Sequence, residues 1–65
     1  MRKIGTYKTA LGKTFVCHFD QDNGKSINFG PLPEMAPQTF DAGSPDEATK
    51  KVAGEFGYGI MLPAD

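Results

Sequence analysis

The sequence has few of the side chains that stabilise very small proteins by covalent or metal links. Its 65 residues include one cysteine, Cys17, one histidine, His18, and no tryptophan. A lone cysteine cannot form an internal disulfide, and one cysteine with one histidine does not supply the ligands of a structural zinc site. Close packing or self-association must therefore stabilise the core, so a homo-oligomer is one open expectation.

Long apolar runs are also missing. No stretch approaches the roughly 18 apolar residues that cross a bilayer, and the start, Met1 to Gly5, is not followed by the apolar segment of a secretion signal. We therefore expect no membrane segment and a cytoplasmic location. Residues 1–65 are expected to form one α+β domain, because a chain of this length buries only one thin core.

The charge balance lacks the excess of basic residues that nucleic-acid binding requires. The formal net charge is -1, so a nucleic-acid partner is not favoured. Basic residues are nevertheless concentrated at the start, where Arg2, Lys3, Lys8 and Lys13 precede the first acidic residue, Asp20. The favoured interpretation is an edge strand protected by lysines. Contact with an anionic partner is the alternative.

Alternating apolar and polar residues predict the strands. The clearest one covers residues 13–20, where Phe15, Cys17 and Phe19 share one face. The segment from Asp20 to Gly24 is rich in turn-forming residues and favours a hairpin into the next strand. Further strands or extended segments are predicted over residues 3–9, 26–29, 39–41 and 58–63.

The third strand is expected to turn Ile27 and Phe29 towards the core. With Phe40 and the apolar side of the second strand, they would form one face covered by a helix. The opposite face would then be largely polar. We expect it to carry Thr14, Val16, His18, Asp20, Ser26 and Asn28.

The helix has the strongest local signal in the chain. Ser44 is a good N-cap, Pro45 suits the first helical position, and Glu47 completes a capping box. An apolar stripe with four-residue spacing follows, and Gly57 is a natural stop. We therefore predict an α+β fold, a small antiparallel sheet of three to four strands with one helix packed on one face, in the order β-β-β-(β)-α-β.

Catalytic and metal-binding patterns are incomplete. Cys17 and His18 are adjacent in a strand, so their side chains should lie on opposite faces and cannot act as a nucleophile and base. A calcium loop beginning at Asp20 would need a bidentate acidic residue at position 31, which is Pro31. We predict no enzyme activity, no catalytic residue, no metal and no cofactor.

Several short segments follow one another in a familiar order: a strand, an Asp-Asn-Gly turn, a Phe-x-x-Leu-Pro step and a capped helix. They cover residues 15–19, 22–24, 29–33 and 44–48. In this order they resemble the N-terminal domain of HicB-like antitoxins. The resemblance implies a partial ribonuclease-H-like fold without nuclease activity, which inhibits a small RNA-cleaving toxin by covering it.

A protein partner is therefore the leading expectation, bound by a loop, an exposed strand edge and one pH-sensitive side chain. The residues predicted to contact it are Gly30, Pro31, Leu32, Pro33, Glu34, Met35 and His18. Two alternatives stay open: a DNA-contact domain similar to the arm-binding domain of phage-type integrases, and a phage-type inhibitor of a larger host complex. A DNA reader should carry cations on the uncovered sheet face.

Overall fold

Five strands and one helix form in the part of the chain that the structure, a computed structural model, describes, residues 1–64. They are β1 (Arg2–Thr9), β2 (Thr14–Asp20), β3 (Lys25–Phe29), β4 (Gln38–Asp41), α1 (Pro45–Phe56) and β5 (Gly59–Pro63). The predicted α+β class and order of elements are confirmed, with five strands instead of three to four. Within residues 1–64, no helix is long and apolar enough to cross a bilayer.

The sheet is antiparallel throughout and has the order β4-β3-β2-β1-β5. The last strand pairs with the first, which places the basic β1 inside the sheet and makes β4 and β5 its edges. The prediction of a lysine-protected edge at β1 is therefore wrong. Two glycines permit the β1–β5 pairing, because a Cβ on Gly5 would overlap the Leu62 carbonyl and one on Gly59 would overlap the Lys8 carbonyl.

Helix α1 begins and ends where its capping residues predict. The Glu47 N–H donates to the Ser44 hydroxyl at 3.1 Å, and Pro45 occupies the first turn. At the other end Gly57 has a φ of 93°, a conformation that favours glycine, and its N–H donates to the Ala53 carbonyl at 3.2 Å. The helix start and stop are both confirmed.

The core lies between α1 and one face of the sheet. The Phe56 ring stacks on the Phe15 ring with 3.9 Å between centroids, and the Tyr7 hydroxyl donates to the Gly57 carbonyl at 2.5 Å. These contacts join the end of the helix to β1 and β2. The buried hydrophobic residues are Tyr7, Phe15, Cys17, Phe19, Ala42, Ala48 and Val52.

Strand β3 has the opposite orientation from the one its hydrophobic pattern predicts. Ser26 and Asn28 are fully buried beneath the helix. Ile27 and Phe29 lie on the other face, where Phe29 is 39% exposed. The expectation that Ile27 and Phe29 point inward, and Ser26 and Asn28 outward, is wrong.

The turn between β2 and β3 explains this orientation. Asp20 pairs with Lys25, so residues 21–24 form the turn and Phe19 lies opposite Ser26. Side chains at directly paired positions share a face, and Phe19 is buried on the helix side, so Ser26 must be as well. A shift of one residue would reverse every side chain of β3.

Candidate functional site

The sheet face opposite α1, here called the open face, carries a row of exposed apolar side chains. Leu62, Thr6, Val16 and Phe29 occupy paired positions across β5, β1, β2 and β3. Leu62 is 48% exposed, Val16 37% and Phe29 39%. Within residues 1–64 no element covers this row, which we call the open-face row. Three apolar side chains are therefore accessible in this row: Val16 and Phe29 are direct neighbours, and Thr6 separates them from Leu62.

His18 lies beside the row on the same face, two residues along β2 from Val16. Its ring meets the edge of the Phe29 ring with 5.3 Å between centroids, and its strand position is paired with that of Ile27. Burial lowers the pKa of His18, and the positive charges of Lys3 and the N-terminus lower it further. The neutral imidazole is therefore favoured, which preserves the weakly polar character of this part of the face.

A groove lies where the open face meets the loop that follows β3. It has a volume of about 230 Å³. Inside the loop, the Met35 N–H donates to the Leu32 carbonyl at 3.2 Å, which closes a turn and leaves both side chains exposed. The groove is lined by Thr14, Val16, Phe29, Gly30, Pro31, Leu32, Pro33 and Met35.

Gly30 brings the loop close to β2. Its φ is 127°, and a Cβ there would come within van der Waals overlap of the Thr14 carbonyl, so glycine allows the chain to cross at this point. The next peptide bond, to Pro31, is cis. The loop lines the groove together with Thr14, Val16 and Phe29, so it continues the open face.

Most of the predicted contact residues come together. Gly30, Pro31, Leu32, Pro33 and Met35 line the groove. Glu34 is exposed but does not line the groove. His18 does not line it either, but its ring contacts the ring of Phe29, which does.

Three residues that complete this surface were not among the predicted contacts. Val16 was expected on the open face, whereas the positions of Phe29 and Leu62 were not predicted. The length of the turn over residues 21–24 could have indicated the orientation of Phe29. No local signal identifies Leu62, because its place depends on β5 pairing with a strand more than 50 residues earlier in the chain.

The predicted separation of Cys17 from His18 is confirmed. Cys17 is fully buried in the core, where its Sγ contacts the Phe15 carbonyl at 3.6 Å and burial raises the pKa of the thiol. His18 lies on the open face. The two groups consequently form no pair, and among residues 1–64 no cluster of three His, Cys, Asp or Glu side chains is arranged to hold a metal ion.

Charged side chains border the apolar surface. On β1, Lys8 is paired with Ile60 of β5 on one side and with Thr14 of β2 on the other. At the opposite side of the sheet, Lys25 of β3 forms an ion pair with Asp41 of β4. A hydrogen bond and the charge of Lys25 lower the pKa of Asp41. The open face thus has an apolar middle and a polar border.

No protein-family model, curated protein or solved structure matches this chain. Its function must therefore be inferred from the open face and the adjoining groove.

Proposed function

We propose that this chain is a non-catalytic protein-binding module that holds a folded protein partner on its open face and in the adjoining groove. The partner that fits is a small protein with an apolar protrusion for the groove and polar groups around it. The more specific form of the proposal is a HicB-like inhibitor that covers a small RNA-cleaving toxin.

The orientation of β3 is the observation that carries this proposal. Complete burial of an aliphatic or aromatic side chain is worth about 1.5–3 kcal/mol, yet Ile27 and Phe29 face outward while Ser26 and Asn28 occupy the core. Burial of Asn28 is also unfavourable, because its Oδ1 atom has no hydrogen-bond partner. Departures from local consistency concentrate at functional sites.

The composition of the surface also supports protein binding. Contiguous exposed apolar patches with polar borders are typical of protein interfaces. Here the apolar part continues from the open-face row into the groove, where Leu32 and Met35 project. Methionine and aromatic side chains are enriched in such interfaces, and they contribute much of the contact area.

The antitoxin form of the proposal is supported by the order of elements that produces the resemblance. The strand, turn, proline-containing step and capped helix follow in the expected order, and the proline-containing step over residues 29–33 forms one wall of the groove. The resemblance therefore specifies a class of partner, whereas the chemistry of the surface indicates only that the partner is a protein.

Inhibition of RNA cleavage tests the antitoxin form. A small RNA-cleaving toxin encoded beside this chain would be titrated with the purified protein, and cleavage of a labelled RNA would be measured. We expect complete inhibition near an equimolar ratio. A toxin that remains fully active with this chain in excess would remove the antitoxin proposal.

Matched leucine variants locate the surface in the same assay. Leu32→Asp places a charge in the groove, and Leu11→Asp makes the same change on an exposed turn at the same end of the sheet, outside the groove. We expect Leu32→Asp to weaken binding at least tenfold and Leu11→Asp to leave it unchanged. Equal effects of the two substitutions would contradict the assigned surface.

A DNA-contact domain is the second candidate, favoured by two exposed lysines of β1. Lys3 pairs with His18 and Lys8 with Thr14, so both side chains border the open face. An electrophoretic mobility shift with duplex DNA at low salt tests it. A shift that disappears in a Lys3→Gln, Lys8→Gln double variant would favour DNA, whereas no shift would eliminate this candidate.

A further inference from the structure

Strand β5 is an unprotected sheet edge. Edge strands are normally shielded by charged side chains, proline or bulges, because their outer backbone groups can pair with another strand. Residues 57–64 contain no charged side chain, and proline occurs only at Pro63, the last residue of the strand. Tyr58 is 90% exposed and Ile60 is 60% exposed. Within residues 1–64, no strand lies on the outer side of β5.

The hydrogen bonds to β1 show which backbone groups of β5 face outward. The Ala10 N–H donates to the Tyr58 carbonyl at 2.8 Å, and the Ala64 N–H donates to the Ile4 carbonyl at 3.2 Å. In an antiparallel pair, residues whose N–H and C=O groups bond to the neighbouring strand alternate with residues whose groups point to the other side. Even-numbered residues of β5 therefore bond to β1. The N–H and C=O groups of Gly59 and Met61 point away from the sheet.

We propose that β5 pairs antiparallel with β5 of a second copy of this chain about a two-fold axis at Ile60. In this register, Gly59 exchanges both hydrogen bonds with Met61 of the second copy, and the reverse pair forms by symmetry. Every outward donor of the strand is then used. Pro63, which has no N–H, lies beyond the paired positions.

The side chains on the open face fit the same register. Ile60 lies opposite Ile60 of the second copy, and Tyr58 lies opposite its Leu62. A groove of about 330 Å³ beside Tyr58, lined also by Lys8 and Ala10, leaves this end of β5 uncovered. The pairing joins the two open faces and places no like charges opposite each other within the paired strands.

The other sheet edge does not offer the same pairing. Strand β4 has only four residues and follows Pro37. It ends with Asp41, whose carboxylate forms an ion pair with Lys25. Two antiparallel copies of β4 would bring this charged end into the interface. The small size of the chain adds a reason for dimerisation, because cores below roughly 70–80 residues are often supplemented by self-association.

The surface available at β5 is compatible with a stable contact. A specific interface buries at least about 1,000 Å² in total, or about 500 Å² from each copy. That share is roughly an eighth of the 4308 Å² surface of one copy. An edge strand with Tyr58, Ile60 and Leu62 exposed beside it can supply an area of this size.

Sedimentation equilibrium of the full chain tests the proposal through charge substitutions at the two-fold axis. The wild-type protein should be a dimer. Ile60→Lys and Ile60→Glu should each weaken dimerisation at least tenfold, because like charges would face each other. An equimolar mixture of the two variants should recover a dimer, since lysine then faces glutamate. Thr39→Lys, at the β4 edge, is the matched control and should leave the dimer intact.

Amide hydrogen exchange distinguishes strand pairing from contact between open faces. In the dimer the N–H groups of Gly59 and Met61 should be protected, and the Ile60→Lys variant should lose this protection while the Leu62 N–H, which bonds to β1, retains it. A wild-type chain that stays monomeric up to ~1 mM would overturn the proposal. An Ile60→Lys variant that dimerises like the wild type would also overturn it. Neither result bears on partner binding at the groove, which Leu32→Asp tests separately.

Discussion

The two faces of this sheet differ in how well they follow the usual separation of apolar and polar residues. The covered face buries the Phe15 ring with Val52 of the helix and the Phe19 ring with Ala48, yet it also buries Ser26 and Asn28. The open face has the opposite exception, because it displays apolar side chains where solvent-facing strands are usually polar. Strand β3 contributes to both exceptions, through Ser26 and Asn28 on the covered face and Ile27 and Phe29 on the open face.

One turn decides which face each side chain of β3 joins. If β3 were shifted by one residue, its two apolar side chains would enlarge the core and its two polar side chains would meet water. The observed register does the reverse. Stability of the covered face is thereby reduced, and an apolar surface becomes available to a partner on the open face.

The largest contrast is expected between two phenylalanines on opposite faces. Phe15 is 5% exposed and Phe29 is 39% exposed. Phe15→Ala should lower the free energy of unfolding by about 3–5 kcal/mol, because it removes a buried ring stacked on Phe56. Phe29→Ala should lower it by about 1 kcal/mol or less while weakening partner binding at least tenfold. Urea unfolding and a binding titration measure the two effects. Similar losses of stability would mean that the open face is also part of the core.

A second prediction concerns the polar pair beneath the helix. The Asn28 side chain donates to the Ser26 hydroxyl at 3.1 Å and to the Gln38 carbonyl at 3.2 Å, while its own oxygen has no partner. Replacing both members with apolar residues, as Ser26→Ala with Asn28→Leu, should raise the free energy of unfolding by about 1–2 kcal/mol. Urea unfolding checks the value, and partner binding should not change. A destabilised double variant would show that the polar pair supports the core.

A third prediction tests the hydrogen bond that joins the end of the helix to β1. Tyr7→Phe removes the bond from the Tyr7 hydroxyl to the Gly57 carbonyl and keeps the buried ring. We expect the free energy of unfolding to fall by about 1 kcal/mol, measured by thermal and urea unfolding. Tyr58→Phe is the matched control on an exposed tyrosine and should change nothing. An effect of Tyr58→Phe on stability would contradict the exposed position of that ring.

The smallest effect should be a pH dependence on the open face. Burial and the charge of Lys3 lower the pKa of His18 below its ordinary value of 6.5. Because the unfolded chain binds the proton more readily, the stability due to neutral His18 is present above pH 6.5 and is lost as the pH falls through the folded-state pKa. An NMR titration of the imidazole should give a midpoint below 6.5, and Lys3→Gln should raise it. A midpoint above 6.5 would contradict this environment.

Much of the fold could be predicted because its signals are local. The Ser44 cap, Pro45 and the Gly57 stop specify the helix through hydrogen bonds within a few residues, and all were confirmed. The alternation over β2 specified its buried face for the same reason. The order of elements and the α+β class follow from these local patterns.

The candidate site was only half predictable. The loop from Gly30 to Met35 has a clear composition signal, and most of it lines the groove. Phe29, which lies beside this loop on the open face, was missed because the hydrophobic pattern of β3 favoured the opposite orientation. Leu62 was missed because an isolated apolar segment at 58–63 does not reveal which strand it will join.

Residue type and spacing were enough to specify the helix, the position of each strand and the separation of Cys17 from His18, since each depends on backbone geometry over a few residues. Pairing decided the rest. The contact of β5 with β1 moved a basic strand into the sheet, and the β2–β3 register placed Phe29 outside and Asn28 inside. The first outcome depends on hydrogen bonds between strands far apart in the chain, which no local pattern encodes. The second depends on the length of the turn over residues 21–24, which overrides the hydrophobic pattern of β3.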